Sequence, residues 1–271
     1  MISLREGLEL STGGVVCLVG AGGKTSLMFR LARELSAGGD SVLTTTTTKI
    51  QMPAPAESEE VVISAAADAI IRRARQFRTT NFHFTAVAEK LNSQHKLKGY
   101  APEFIDDLWK RRLFHWILVE ADGAAGRSLK APAVHEPVIP SCTQWVIGLV
   151  GLDAAGKTLD EHWVFRPDIF AHLTGLAEGR TVSPAAIATS LTHAGGIFKG
   201  SPGAAGQYLF LNKAESAGRI QAGREVVDII KKTSPARIRR ILIGSLLKDP
   251  PVMEYHQIYA GKGEAYGKFY S

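Results

Sequence analysis

The sequence predicts a three-layer α/β fold, in which helices cover both faces of a mostly parallel sheet. Three observations favour it: short apolar runs typical of buried strands, amphipathic stretches between them, and 271 residues without a Pro/Ser-rich linker. A chain of this length can build one large core, so we expect a single domain over residues 1–271. Within it, we expect an irregular, loop-rich stretch at residues 121–143 and a mobile tail at residues 250–271.

Residues 15–26, VVCLVGAGGKTS, give the clearest indication of chemistry. The apolar beginning indicates a buried strand, and after Lys24 apolar residues recur at helical spacing until Gly38. Glycines at such a turn let the backbone approach an anion, which the free amides and positive end of the helix then attract. The pattern is a shortened phosphate loop, G-x-x-G-K-T, and predicts a P-loop NTPase-like fold rather than a plain glycine turn. The predicted nucleotide-binding residues are Gly20, Ala21, Gly22, Gly23, Lys24, Thr25 and Ser26.

Two further strand ends are expected to reach this loop. The run of five threonines in SVLTTTTTKI has high β-propensity, which by itself explains most of the run. The carboxyl ends of parallel strands share one edge of a sheet, so Thr47 is a candidate magnesium ligand beside Thr25 and Glu120. Glu120 and Asp122 follow the apolar run 116–119, where nucleotide-hydrolysing enzymes place the acid that holds Mg²⁺ or orients water. Both are predicted catalytic residues, with two solvated loop acids as the alternative.

The loop-rich stretch carries four further polar residues of interest. Arg127 and Lys130 could contact a phosphate or an acidic partner. His135 and Glu136 are adjacent and seldom converge on one ion from such positions, so we expect them to anchor the loop through hydrogen bonds.

A second glycine segment, GLDAAGKT at residues 151–158, satisfies the full eight-residue phosphate-loop pattern. Only a short stretch separates it from Pro167, and it lacks the long amphipathic helix that should receive a phosphate. We therefore interpret Lys157 as a loop lysine and expect the first glycine loop to be the functional one.

The last third of the chain contains N-K-x-E at residues 212–215, directly after the apolar run 208–211. Many GTPases bind guanine with N-K-x-D at a strand end, where the carboxylate accepts two hydrogen bonds from the base. Here glutamate replaces aspartate, so the base of ATP or GTP stays open, and a simple helix-start box is the alternative. The residues predicted to contact or support the base are Asn212, Lys213 and Glu215.

Composition excludes several classes of protein. The chain has 32 Lys+Arg and 26 Asp+Glu, a net charge of +6, and solvated helix faces explain its basic clusters, so nucleic acid is not an expected partner. We find no apolar run of about 18 residues and no N-terminal signal pattern, and expect a cytoplasmic protein without a membrane partner. Cys17 and Cys142 are too few for a disulfide framework and are expected to be reduced.

Taken together, VGAGGKTS, VLTTTTTKI, VEADGAAGRSLKAPAVHEPVIP and LNKAE resemble the YqeC family, described as accessory proteins of selenium-dependent molybdenum hydroxylases. The resemblance covers nearly the whole chain, with the motifs in order. It implies a role in maturing or inserting the molybdenum cofactor of a partner hydroxylase that carries labile selenium, and the phosphate loop adds Mg²⁺ and ATP or GTP to this expectation.

Two wider resemblances suggest different chemistries. E-x-x-G at Glu120 and Gly123, with N-K-x-E, is similar to the GTPases that drive nickel insertion into hydrogenase and urease. The shortened phosphate loop is similar to that of Mur ligases, which activate a carboxylate with ATP. The resemblances thus favour slow hydrolysis of ATP or GTP in an accessory factor. The alternatives are a Mur-ligase-like synthetic enzyme and a carrier that holds a pterin or nucleotide phosphate without turnover.

Overall fold

The computed structural model describes residues 2–77, 81–91, 96–233 and 237–258. The strands are β1 (Gly14–Gly20), β2 (Val42–Thr46), β3 (Lys49–Gln51), β4 (Val61–Ile63), β5 (His83–Val87), β6 (Glu89–Leu91), β7 (Lys96–Lys98), β8 (Trp116–Glu120), β9 (Leu129–Lys130), β10 (Trp145–Gly151), β11 (Val164–Phe165), β12 (Gly206–Asn212), β13 (Ile238–Gly244) and β14 (Val252–Gln257). The helices are α1 (Leu4–Gly7), α2 (Lys24–Ala37), α3 (Ala67–Gln76), α4 (Pro102–Lys110), α5 (Pro167–Thr174), α6 (Pro184–Thr192) and α7 (Ala217–Thr233).

Nine strands form the main sheet, in the order β14-β13-β12-β10-β1-β8-β2-β5-β4. All neighbours run parallel except β13 and β14, which are antiparallel. Because β1 lies between β8 and β10, its carboxyl end meets the ends of both strands at one edge of the sheet. The predicted mostly parallel sheet is therefore confirmed, and its topology brings residue 20 close to residue 120.

Two hydrophobic cores lie on opposite faces of this sheet. One face packs against α1 and α2, and β1 contributes Val16 and Leu18 to it. The other face packs against α3, α4, α5, α6 and α7, and β1 contributes Val15, Cys17 and Val19. Alternate residues of a strand point to opposite faces, so β1 is buried on both sides. The fold is the three-layer α/β arrangement that the sequence predicts.

Residues 252–257 differ from the prediction of a mobile tail. They form β14, which pairs with β13 along the edge of the main sheet, and Val252 is buried there. The prediction is wrong for these residues, and residues 259–271 lie outside the described part of the chain. Across the described ranges, no helix combines the length and apolar character needed to cross a bilayer.

Candidate functional site

The glycine loop, residues 20–23, joins β1 to α2. Gly20, Gly22 and Gly23 have φ values of 92°, 80° and 128°, in the region that side chains rarely adopt. A Cβ atom on Gly22 would also collide with the backbone amide of Gly151 at the end of β10. The tight packing of this loop against a neighbouring strand thus requires glycine.

Backbone amides of the loop divide into a bonded and a free group. The Gly20 amide donates to Asp122 Oδ2 at 3.0 Å. The next two amides donate to the carbonyls of Leu149 and Arg127, both at 2.9 Å. The amides of residues 23–26 have no acceptor in the described part of the chain, and the cap residue Gly23 offers no side chain. Four free amides at the positive end of a 14-residue helix can bind an anion.

Lys24 begins α2 and is almost completely buried, with 4% of its surface exposed. Its Nζ donates to the Gly20 carbonyl at 2.7 Å and lies 3.1 Å from Asp122 Oδ1 and 3.9 Å from Glu120 Oε1. Burial lowers the pKa of Lys24, but the two carboxylates outweigh burial and raise it above its ordinary value. Lys24 is therefore held as a cation, and the two predicted acids contact it.

Glu120 is the last residue of β8 and lies beside Thr25. The Thr25 hydroxyl donates to Glu120 Oε2 at 2.6 Å. Burial is the main reason that the pKa of Glu120 is raised, although Lys24 and Thr25 partly offset it. A hydroxyl and a carboxylate in contact form an oxygen donor set of the kind that Mg²⁺ prefers.

Thr47 is not part of this donor set. Its hydroxyl donates to the Val138 carbonyl at 2.7 Å, and its amide donates to the Glu120 carbonyl at 3.1 Å. Its neighbour Thr46 donates to the same Glu120 carbonyl at 2.7 Å. The threonines therefore fix the backbone at the end of β8, while the Thr47 side chain contacts the 121–143 segment.

A buried ion-pair chain extends from Asp122 through the 121–143 segment. Lys130 Nζ lies 3.0 Å from Asp122 Oδ2 and 2.9 Å from Glu136 Oε2. Arg166, directly before α5, lies 2.6 Å from the same Glu136 oxygen. Burial raises the pKa of Glu136, but Arg166 and Lys130 prevail and hold it at about 2. With Lys24 and Glu120, three cations and three carboxylates balance one another.

This ion-pair chain changes the interpretation of the loop residues. The Lys130 side chain has no exposed surface and is not available to a phosphate or an acidic partner. Glu136 anchors the loop as predicted, whereas the neighbouring His135 is exposed. The Arg127 side chain donates to the carbonyls of Glu161 and Ala125, and its own carbonyl holds the Gly22 amide.

Asn212, Lys213 and Glu215 follow the end of β12 and contact different partners. Asn212 Nδ2 donates to the Gly22 carbonyl at 2.7 Å, which ties β12 to the glycine loop. Lys213 Nζ lies 2.7 Å from Ser128 Oγ and 2.8 Å from Asp153 Oδ2.

Glu215 lies at the amino-terminal side of α7, where its carboxylate has two side-chain donors. Oε1 accepts a hydrogen bond from Ser245 Oγ at 2.6 Å, and Oε2 pairs with Arg219 at 2.7 Å. No local pattern in the sequence indicates that Ser245 bonds Glu215, because the two residues are 30 positions apart in the sequence.

Residues 151–158, which match the full phosphate-loop pattern, have another structure. A 3₁₀ turn at Leu152–Ala154 follows β10, and residues 155–166, all described, contain β11 but no helix. Lys157 Nζ lies 5.2 Å from the centre of the Trp163 ring. This segment lacks the helix amides that face an anion, in agreement with the interpretation of Lys157 as a loop lysine.

Both cysteines are predicted to react slowly with thiol reagents in the folded protein. Cys17 is fully buried, and burial raises its pKa to about 12. Burial and a neighbouring Asp106 raise the pKa of the half-buried Cys142 as well. Since the thiolate is the reactive form, we expect 5,5′-dithiobis(2-nitrobenzoate) to modify neither thiol within minutes at pH 7.5 and both after denaturation. Rapid modification of the native protein would contradict this prediction.

Comparisons with known proteins agree with the sequence patterns. A family model described as YqeC protein matches residues 16–168, more than half of the chain. That range contains the glycine loop, Glu120, Asp122 and the ion-pair chain. A protein named Uncharacterized protein YqeC, from Escherichia coli (strain K12), is 34% identical over 238 residues, which cover 88% of this chain and 90% of the relative. The chain therefore belongs to the YqeC family.

Proposed function

We propose that the chain binds ATP or GTP together with Mg²⁺, hydrolyses the nucleotide slowly, and assists maturation of a selenium-dependent molybdenum hydroxylase. The observation that supports nucleotide binding most strongly is the four free amides of residues 23–26, which lie where the glycine loop enters α2, next to a lysine that contacts two carboxylates. This arrangement offers amides and an ammonium group to phosphates and carboxylate oxygen to a metal ion.

Each side chain has a distinct role in this proposal. Lys24 and the free amides bind the phosphates, and Thr25 and Glu120 supply oxygen ligands to Mg²⁺, which neutralises phosphate charge when it is bound. Both carboxylate oxygens of Asp122 already have partners. Oδ1 pairs with Lys24, and Oδ2 pairs with Lys130 and accepts from the Gly20 amide. Asp122 therefore positions the loop, and Glu120 is the acid that acts on the metal or on water. Thr47 takes no part.

The maturation role rests on family membership and on the description that the resemblance carries. A protein partner, the hydroxylase itself, belongs to this part of the proposal. Two alternatives share the glycine loop. A non-hydrolysing carrier of a pterin or nucleotide phosphate would bind without releasing phosphate, and a Mur-ligase-like enzyme would release it only with a carboxylate acceptor.

Measurement of phosphate release, with and without Mg²⁺, tests this assignment. We expect the wild type to release phosphate from ATP or GTP only with Mg²⁺, without any added acceptor. The Glu120→Gln variant is expected to lose about 10²-fold or more in rate but to keep most of its nucleotide affinity. Asp122→Asn is expected to weaken binding itself, because the loop and Lys24 lose their anchor.

The possible outcomes separate the alternatives. Binding without release in the wild type would favour the carrier, and an unaffected Glu120→Gln rate would remove the acid from the mechanism. Thermal unfolding of each variant serves as the control for folding. If the wild type binds neither nucleotide, the proposed function is wrong.

A further inference from the structure

A cavity of about 460 Å³ lies where the chain leaves β11 and enters α5. Its volume is within the range of protein cavities that bind small molecules. Among the described residues, none from the glycine loop lines it, and neither do Glu120 and Asp122. The cavity is therefore separate from the proposed phosphate site. Its polar lining consists of two basic and three acidic side chains, which belong to Arg127, Arg166, Glu161, Asp168 and Glu178.

Arg166 joins β11 to α5 and has an unusual backbone conformation. Its φ is 64°, in the left-handed region that residues with a side chain rarely adopt, and such residues are concentrated at ligand sites. Three contacts orient its guanidinium group. Nη1 donates to Glu136 Oε2 at 2.6 Å and to the Ala131 carbonyl at 3.3 Å. The Cζ atom lies 4.4 Å from the centre of the Phe165 ring. The plane of the guanidinium group is thereby fixed.

One edge of this guanidinium group is available to a ligand. The contacts with Glu136 and Ala131 use Nη1 alone, and Nε and Nη2 have no acceptor in the described part of the chain. The Arg166 side chain is 24% exposed and lines the cavity. Two parallel N–H groups of an arginine match the two oxygens of a carboxylate. The cavity therefore offers a fixed binding edge to a carboxylate.

The acidic residues of the lining favour a ligand that also carries positive charge. Glu161, Asp168 and Glu178 are exposed, and their carboxylates have no ion-pair partner among the described residues. Arg127 does not neutralise them, because its Nε and Nη1 atoms donate to the backbone carbonyls of Glu161 and Ala125. With three carboxylates and two guanidinium groups, the lining has an excess of negative charge. A phosphate would meet like charges here, whereas a ligand with a cationic group would be matched.

From this lining we propose that the cavity binds a basic amino acid, either free or as the last residue of a peptide. The free edge of Arg166 binds the carboxylate, and the exposed acids bind the cationic end of the side chain. Phe165 and Pro167 provide an apolar wall against which the methylene groups pack. A free basic amino acid carries one more positive than negative group, which complements the charge of the lining. The inference goes beyond the proposed function and does not depend on it.

Isothermal titration calorimetry of the full chain, without nucleotide, tests this inference with L-lysine and L-arginine as probes. We expect at least one of them to bind. Its neutral analogue, L-norleucine or L-citrulline, should bind at least about tenfold more weakly, because the contact with the acids is lost. Cadaverine and agmatine lack the carboxylate and should be weaker by at least about the same factor.

Nα-Acetyl-L-lysine distinguishes the two sources of the ligand. It keeps the carboxylate and the side-chain ammonium group but has an amide in place of the α-amino group, as in the last residue of a peptide. Binding at least as tight as that of L-lysine would assign the cavity to a peptide end. Weaker binding would assign it to the free amino acid.

Two variants test the residues of the cavity. Arg166→Lys keeps a cation near Glu136 but loses the planar donor edge, so the charged probe and its neutral analogue should both bind at least about tenfold more weakly. The double variant Asp168→Asn/Glu178→Gln removes two exposed acids and should reduce the preference for the charged probe by at least about threefold. Glu225→Gln on the exposed side of α7 is the matched control and should bind like the wild type. Thermal unfolding checks that each variant is folded.

Several results would overturn the inference. They are the failure of L-lysine, L-arginine and Nα-acetyl-L-lysine alike to bind, and equal binding by the neutral or the decarboxylated analogues. A folded Arg166→Lys variant that binds like the wild type, or an unchanged preference in the double variant, would also contradict it. Since no nucleotide is present in these titrations, such results would leave the proposed function standing, and a failure to bind nucleotide would leave this inference intact.

Discussion

The Lys24→Ala variant is expected to bind Mg-nucleotide at least about tenfold more weakly than the wild type. A hydrogen bond to a charged group contributes about 1.5–3 kcal/mol, and a tenfold change in affinity corresponds to about 1.4 kcal/mol. The loss should exceed this lower limit where phosphate oxygens are shielded from water, because Lys24 is buried and held as a cation by Glu120 and Asp122. Isothermal titration calorimetry measures the affinity directly.

Lys157→Ala is the matched control for this experiment. The tripeptide Gly-Lys-Thr occurs at residues 23–25 and again at residues 156–158, so the two variants remove the same group from the same local sequence. The second lysine lies over Trp163 and is not followed by a helix, and its removal should leave the affinity unchanged. An unchanged nucleotide affinity in Lys24→Ala, or a loss of affinity in Lys157→Ala, would show that the first glycine loop is not the binding site.

Replacing Lys130 by methionine is expected to cost about 3–5 kcal/mol of unfolding free energy, since its removal leaves the buried ion-pair chain with one uncompensated negative charge. The Lys130 side chain is fully enclosed and pairs with both Asp122 and Glu136. Urea denaturation followed by circular dichroism measures the loss. Lys110→Met is the control: Lys110 pairs with Asp107 at 2.9 Å on the surface, and exposed pairs contribute about 1 kcal/mol or less. A Lys130→Met loss no larger than that of Lys110→Met would show that the ion-pair chain does not stabilise the fold.

Acid provides a second measurement on the same variant. The pKa of Glu136 is about 2 in the folded protein, below its ordinary value of 4.5, so the folded state favours the ionised form. The resulting stability is present above about pH 4.5 and is lost as the pH falls toward 2. Without Lys130, the folded-state pKa of Glu136 should rise toward 4.5, and stability should depend less steeply on pH in this range. An unchanged acid profile would contradict the pairing.

Local patterns in the sequence predict much of the fold and the centre of the site. The apolar run before Gly20 and the helical spacing after Lys24 correspond to β1 and α2. The apolar run at 116–119 predicts β8, although the structure extends this strand to Glu120 and so distinguishes Glu120, within the strand, from Asp122, after it. These features depend on neighbours in the chain, which the sequence displays.

Contacts between distant residues are what the sequence does not reveal. Lys130 is a charged residue in a loop-rich stretch, so the sequence suggests that it is exposed. Its burial involves Glu136, which also pairs with Arg166, 30 residues further along the chain. Helix α6 begins with a Ser183 cap and Pro184, which are clear local signals of a helix start. The helix itself is apolar on most sides, so its sequence does not show helical periodicity. The tail prediction failed for β14 because its exposed and half-buried residues give a weak strand pattern, and pairing with β13 supplies the order.

The burial of Lys24 between two acids has a consequence for the order of events in the proposed cycle. In the proposed complex, a triphosphate that draws the ammonium group away would leave Glu120 and Asp122 with less positive charge at an almost completely buried position. Burial already raises the pKa of Glu120, so its carboxyl group would then favour a divalent cation or a proton as a partner. If the chain binds both as we propose, metal and nucleotide would therefore be thermodynamically linked, each raising the affinity for the other, and a proton would partly substitute for the metal.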